Sequence, residues 1–144
     1  MRQLSNASTQ TTMLVVEPYG VFRSTVAAVV RELHLAQVHQ AASIPIGTQV
    51  LMNTAVDALV LSLEDNDAAL DLLIRLRAGE FPSSASIPVV VTATACGGAL
   101  ALRLKELAVF RLLLKPLRIR EVVQTLEAMA PECSPEAGSV VTHA

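Results

Sequence analysis

Tryptophan is absent from this chain of 144 residues, and its aromatic complement is Tyr19, Phe22, Phe81 and Phe110. With so few rings, a base-stacking platform for single-stranded nucleic acid is unlooked-for, and the core must be aliphatic. Basic residues do not predominate either: 11 Lys and Arg stand against 13 Asp and Glu, a formal net charge of −2. That balance argues against a globally basic nucleic-acid binder. Cysteine is limited to Cys96 and Cys133, whose separation matches no zinc or dithiol spacing. A reduced, cytoplasmic setting is expected. No apolar run reaches the roughly 18 residues of a membrane span. The polar segment Met1 to Thr12 lacks the apolar stretch of a signal peptide. No Gly-x-Gly-x-x-Gly follows an apolar run, which weighs against a dinucleotide.

What the chain does have is aliphatic material: 52% of residues are hydrophobic and 17% charged. A chain this long buries about two-thirds of its unfolded surface on folding, enough for one core without a staple. The runs Met13–Glu17, Ala58–Ser62 and Pro88–Thr92 are short, continuously apolar and free of period-two alternation, as strands covered on both faces are. Gln37–Ala42 is a weaker strand, and Phe110–Leu114 a fifth. Between them lie helical segments. Val21–Leu33 places Val21, Phe22, Val26, Val29, Val30 and Leu33 at three- and four-residue intervals. Ile46–Asn53 has Pro45 at its first turn, with Gly47 weakening it. Ala68–Ala78 has Asp67 as the expected N-cap, arginines late, and Gly79 as its stop. A fourth helix runs from Gly97-Gly98 to Leu107, and a fifth from Arg118 to Ala130.

Five strands alternating with five helices mean an α/β fold, a parallel sheet wound on both faces by right-handed crossovers. In such sheets function sits at the carboxyl ends of the strands. The residues to inspect are therefore Glu17, Pro18, Ser62, Glu64, Thr92, Thr94, Lys115 and Pro116. Residues 13–130 form the expected domain, with a tail at 1–12 and another at 131–144, where Pro131, Pro135 and Gly138 fall.

A carboxylate after the first strand, a small hydroxyl after the fourth and Lys-Pro after the fifth make a specific combination. Asp57-Ala-Leu-Val-Leu, Ile87-Pro-Val-Val-Val-Thr92 and Leu-Leu-Leu-Lys115-Pro116-Leu stand in order over 13–130. Together they resemble the receiver (CheY-like) domain of bacterial response regulators. The resemblance implies a flavodoxin-like doubly wound sheet of strand order 2-1-3-4-5 and a peptide bond before Pro116 that is usually cis. It also implies a role in two-component signalling and no enzyme activity of the ordinary kind.

The carry-over is incomplete. The family places two adjacent acids after its first strand to hold Mg²⁺; here they are Glu17 and Pro18. Its phosphoacceptor aspartate falls on Ser62, neutral and a poor nucleophile without a general base; no Gly-x-Ser-x-Gly elbow surrounds it. Thr92 fits the switch hydroxyl, and Thr94 takes that place if the strand slips. The aromatic switch residue falls on Leu112, and Lys115 matches fully. With two of three carboxylates gone, Mg²⁺ binding is expected to be weak or absent. The pair Glu17–Lys115 is then free to close the pocket directly.

The expected function is a stand-alone, phosphorylation-independent receiver that signals through protein contact, with no cofactor and no output domain. Arg103, Lys105, Arg111, Lys115, Arg118 and Arg120 concentrate base on the fourth helix, fifth strand and fifth helix, where Glu106 is the one acid between 103 and 120. In the family this surface serves dimerisation and partner docking, so it marks the expected face for an acidic protein partner or a second copy, against the plainer reading of a solvated face. The alternative function is a working phosphoacceptor at Asp65 or Glu64, with Mg²⁺ held at Glu17. A third is a small-molecule binder in the same crevice. His34 and His39 lack partners at ligand spacing and read as surface residues. Cys96 reads as a buried small hydrophobe.

Overall fold

The first strand shows how the sheet assembles. In the computed structural model, which describes residues 11–133 (130–133 in backbone only), β1 spans Thr12–Val16 and all but its first residue are buried. Apolar on both faces, it sits where both sides are covered. It pairs in parallel with β2, Gln37–Ala41, and with β3, Ala58–Ser62. β4, Val89–Ala93, joins β3, and β5, Arg111–Leu114, closes the far edge. The order is β2-β1-β3-β4-β5, all parallel. This is the expected doubly wound sheet.

Side-chain alternation divides the core into two layers. Leu14, Val16, Leu59, Leu61, Val89 and Val91 face one layer, completed by Leu51, Leu72, Leu73, Leu76 and Leu104. These come from α2, Ile44–Asn53, α3, Asn66–Arg77, and α4, Gly98–Glu106. Met13, Val15, Val60 and Val90 face the other layer, against Val26 and Val30 of α1, Gly20–Glu32, and Val122, Leu126 and Met129 of α5, Ile119–Cys133. Each fully buried aliphatic chain contributes roughly 1.5–3 kcal/mol, so β1, β3 and β4 form the stable centre that holds their carboxyl ends in place.

Several boundaries move from their expected places, each for a local reason. The amino-terminal tail was expected to include Thr12, but Thr12 is strand. Its N–H donates to Asp57 Oδ2 at 2.9 Å, and its carbonyl accepts from Asp57 N at 2.7 Å. α2 begins at Ile44, two residues early, because the Ser43 hydroxyl caps it by accepting from Ile46 N at 3.3 Å. The N-cap of α3 is Asp65, not Asp67: Asp65 Oδ1 accepts from Ala68 N at 3.1 Å, and Asp67 lies in the first turn. α5 continues to Cys133, past the expected end of the domain at 130, with Pro131 in its last turn. The expected tails over 1–10 and 134–144 lie outside the described residues.

Gly79 does end its helix, at φ +80°. Gly79 N donates to Leu76 O and Glu80 N to Arg75 O, each at 3.1 Å, satisfying two terminal carbonyls. His34 and Ala108 close α1 and α4 in the same left-handed way, at φ 54° and 57°, without glycine. The Arg77 guanidinium then ties three segments together. It donates to Ala85 O at 2.8 Å, Ile87 O at 2.7 Å, Leu107 O at 2.8 Å and Ala108 O at 3.2 Å. Burial lowers its pKa below the ordinary arginine value.

Gly47 has a role beyond weakening α2. A Cβ built on it would lie 2.7 Å from Val16 Cγ2, and Val16 is buried in the sheet. The helix therefore approaches β1 more closely than alanine permits. Gly47→Ala is expected to destabilise by about 1–3 kcal/mol, the usual cost of overpacking, in spite of alanine's better helix propensity. Chemical denaturation would show it, and a stabilised variant would mean that α2 can withdraw from β1 at little cost.

Candidate functional site

The sheet delivers its polar residues to one place because β1, β3 and β4 all end at the same height. Glu17 follows β1 directly, and its N–H donates to Ala41 O at 3.0 Å, continuing the ladder for one more bond. Ser62 ends β3 and is in register with Thr92 of β4. Lys115 follows β5, its N–H donating to Ala93 O at 2.7 Å, and the Lys115–Pro116 bond is cis.

Glu17 is 1% exposed, and every oxygen of the residue has a partner. Oε1 accepts from Lys115 Nζ at 2.9 Å, Oε2 from Tyr19 N at 3.0 Å, and the carbonyl from Arg23 Nη1 at 2.7 Å. The Lys115 side chain is 15% exposed and lies at the meeting point of the site. Besides Glu17 it reaches Glu64 Oε2 at 3.4 Å and, more distantly, Ser62 Oγ at 3.5 Å. Its ammonium also lies 5.2 Å from the centroid of the Tyr19 ring and 5.5 Å from that of Phe22, both within cation–π range. The chain thus brings together one cation, two carboxylates and one neutral hydroxyl.

The closing pair Glu17–Lys115 is present as anticipated, and Glu64 joins it as a second anion on the same ammonium. The other candidate acceptor, Asp65, has Oδ1 engaged in capping α3. Pro18 is exposed and brings no side-chain oxygen. Thr92, not Thr94, occupies the buried strand position; Thr94 is exposed beyond the end of β4. The Thr92 hydroxyl has no hydrogen-bond partner among the described residues and lies against a small void of about 10 Å³ lined by Phe22, Val26, Leu113 and Val122. Leu112 packs half-buried against the α2–α4 layer. Among the described residues no group of three or more His, Cys, Asp or Glu is placed to hold a metal ion.

The basic residues on three elements are exposed: Arg103 and Lys105 on α4, Arg111 on β5, and Arg118 and Arg120 at the start of α5. Arg103 pairs with Glu106 at 3.5 Å between two exposed side chains, a contact of little energetic weight. Arg111 lies over the Phe110 ring at 5.3 Å. Leu102, Leu114 and Ile119 expose apolar side chains on the same three elements. His34 and His39 are exposed, as expected of surface residues, whereas Cys96 is half-buried where full burial was expected, because it sits in the turn before α4.

No family model and no curated protein sequence matches the chain. Its fold has many counterparts among solved structures. The non-phosphorylated HemR receiver domain from Leptospira biflexa superposes with a TM-score of 0.74 at 22% identity, over 84% of this chain and 94% of that one. An orphan response regulator of H. pylori gives 0.72 at 18% identity, over 85% and 98%. A response regulator from Thermotoga maritima gives 0.71 at 18%, over 84% and 98%. At these identities the likeness is one of fold.

Proposed function

We propose that this chain is an atypical receiver domain in two-component signalling, acting by protein contact and without aspartyl phosphorylation. The observation that carries the reading is the engagement of Lys115 by Glu17 and Glu64 at 2.9 and 3.4 Å, beside a serine where the receiver fold places its phosphoacceptor. A phosphoryl group at this place would need that ammonium free and a carboxylate to carry it. Both requirements go against the geometry. The oxygen donors also fail to suit Mg²⁺, which favours several carboxylates in near-octahedral array. One oxygen of each carboxylate is bound to ammonium, the other oxygen of Glu17 is bound to backbone N–H, and Pro18 contributes nothing.

Partner contact belongs on the face of α4, β5 and α5. It exposes five bases together with the apolar side chains of Leu102, Leu114 and Ile119, a combination that suits an acidic protein surface. No helix among the described residues is long and apolar enough to cross a membrane, and we place the protein in the cytoplasm on its fold and cysteine usage. No catalytic role is assigned to any residue.

Intact mass after incubation with a small phosphodonor and Mg²⁺ is the direct test, with a phosphorylatable receiver as control. The chain is expected to gain no mass, and the Ser62→Asp variant likewise, because Pro18 and the committed carboxylates remain. A gain of one phosphoryl group would overturn the reading, and peptide mapping would then choose among Ser62, Glu64 and Asp65. The docking face has its own test. Arg118→Glu with Arg120→Glu is expected to weaken binding to an acidic protein partner about tenfold by sedimentation velocity, since like charges would then face each other across the contact. Unchanged association would remove this face from the proposal.

A further inference from the structure

A crevice of about 570 Å³ opens beside the site, between the first turns of α2 and α3 at the carboxyl ends of β1 and β3. This is where the strand order reverses direction, the place at which doubly wound sheets bind ligands. Its volume lies within the range of small-molecule pockets. Val16, Ala42, Ile44, Pro45 and Ala68 make most of its wall apolar, and Pro18 adds an apolar surface beside Glu17.

The polar features around it decide the kind of ligand. Two helix amino-termini ordinarily favour an anion, but here each is partly taken up by its own cap. Ser43 accepts from Ile46 N and Gly47 N, Pro45 has no N–H, and Asp65 accepts from Ala68 N and Ala69 N. Glu64 and Asp65 also line the crevice, and the one nearby cation, Lys115, already bears two carboxylates. An anion would meet the negative charge of Glu64 and Asp65 on the same wall. A cation would lose its hydration against apolar walls. Ser62, also in the lining, is 4% exposed, and its hydroxyl proton has no acceptor among the described residues.

From these features we infer that the crevice is a binding site for an uncharged, largely apolar small molecule carrying a carbonyl or ether oxygen that accepts from Ser62. The apolar body lies against Val16, Ile44, Pro45 and Ala68. The site is separate from the question of phosphorylation: the mass measurement and the titration below fail independently.

Benzamide and benzoate, one ring with a neutral or an anionic head, are the probes. Titrated into the ¹⁵N-labelled chain, benzamide is expected to shift the amides of Thr48, Ser62 and Ala68 with millimolar affinity. Benzoate is expected to bind at least tenfold more weakly. Ala68→Leu and, separately, Thr48→Leu fill the crevice and are expected to abolish the benzamide shifts while the remaining spectrum stays folded. Ser62→Ala is expected to weaken benzamide about fivefold, the usual worth of one neutral hydrogen bond. Benzoate binding as tightly as benzamide, shifts that survive both filling variants, or an affinity indifferent to Ser62→Ala would each overturn the assignment. So would the absence of any shift at these amides.

Discussion

Lys115→Met is expected to cost about 3 kcal/mol of folding stability, read as the change in free energy from urea denaturation. The size follows from what the substitution leaves behind. Glu17 is 1% exposed, and without the ammonium its carboxylate keeps Tyr19 N as its one side-chain partner. Removing one member of a buried ion pair typically costs about 3–5 kcal/mol, most of it the desolvation of the stranded charge. The low end applies because the Lys115 side chain retains some contact with water, which already screens the pair. The same logic fixes the sign of the double variant. Glu17→Gln removes the stranded charge while its amide oxygen can still accept from Tyr19 N. Glu17→Gln with Lys115→Met is therefore expected to recover at least half of the loss. Glu64 should contribute little to this cycle, since its side chain is 34% exposed and its contact is longer. A cost below about 1 kcal/mol for Lys115→Met would mean that the latch is solvated, and the reading of a self-closed site would lose its main support.

That latch was only half legible in the sequence. Continuous apolar runs such as Leu59–Leu61 and Val89–Val91 announce buried parallel strands, because strands with both faces covered have no polar face to reveal them otherwise. Order along the chain then brings Glu17, Ser62, Thr92 and Lys115 to one end of the sheet. The meeting of Glu17 with Lys115 follows from that topology. The part played by Glu64 does not: it lies in a loop, and whether a loop carboxylate faces solvent or turns back to an ammonium depends on three-dimensional placement. The caps show the same limit. Asp65 and Asp67 are both capable N-caps, and the choice between them was settled by where α3 meets the end of β3. Gly47 was visible as a weak helix residue, but its reason, the approach of α2 to Val16, is a packing distance with no signature in the local sequence. The crevice was anticipated in position by the strand order. Its character comes from Ile44 and Pro45, and of these only Pro45 stood in the expected helix start.

Arg77 is the clearest case of a residue whose importance is invisible in sequence, and its replacement should have an effect as large as that of Lys115. In the pattern of α3 it is a late basic residue, suited to the negative end of the helix dipole. In the fold its guanidinium donates to four carbonyls: Ala85 and Ile87 in the segment before β4, and Leu107 and Ala108 in the turn before β5. No carboxylate pairs with it among the described residues, so the backbone itself neutralises the charge. Hydrogen bonds to a charged donor contribute roughly 1.5–3 kcal/mol each before desolvation is subtracted. The burial that lowers its pKa is that opposing cost. Arg77→Met is expected to destabilise by about 3 kcal/mol, because the carbonyls lose their donor and two connecting segments lose their common anchor. Arg77→Lys should recover little of this, since an ammonium cannot present the planar fork that reaches both segments together. The sign of the pH dependence follows as well. A folded pKa below the unfolded one makes the folded state relatively more stable as pH rises through that titration. For arginine this lies far above neutrality, so the difference between wild type and Arg77→Met should be flat from pH 5 to about 9. A loss no greater than about 1 kcal/mol, or full rescue by lysine, would show that the four bonds are replaceable by water. Hydrogen exchange adds a local readout: the amides of Phe110 and Ile87, at the two tethered segments, should lose protection in Arg77→Met before those of β1 and β3.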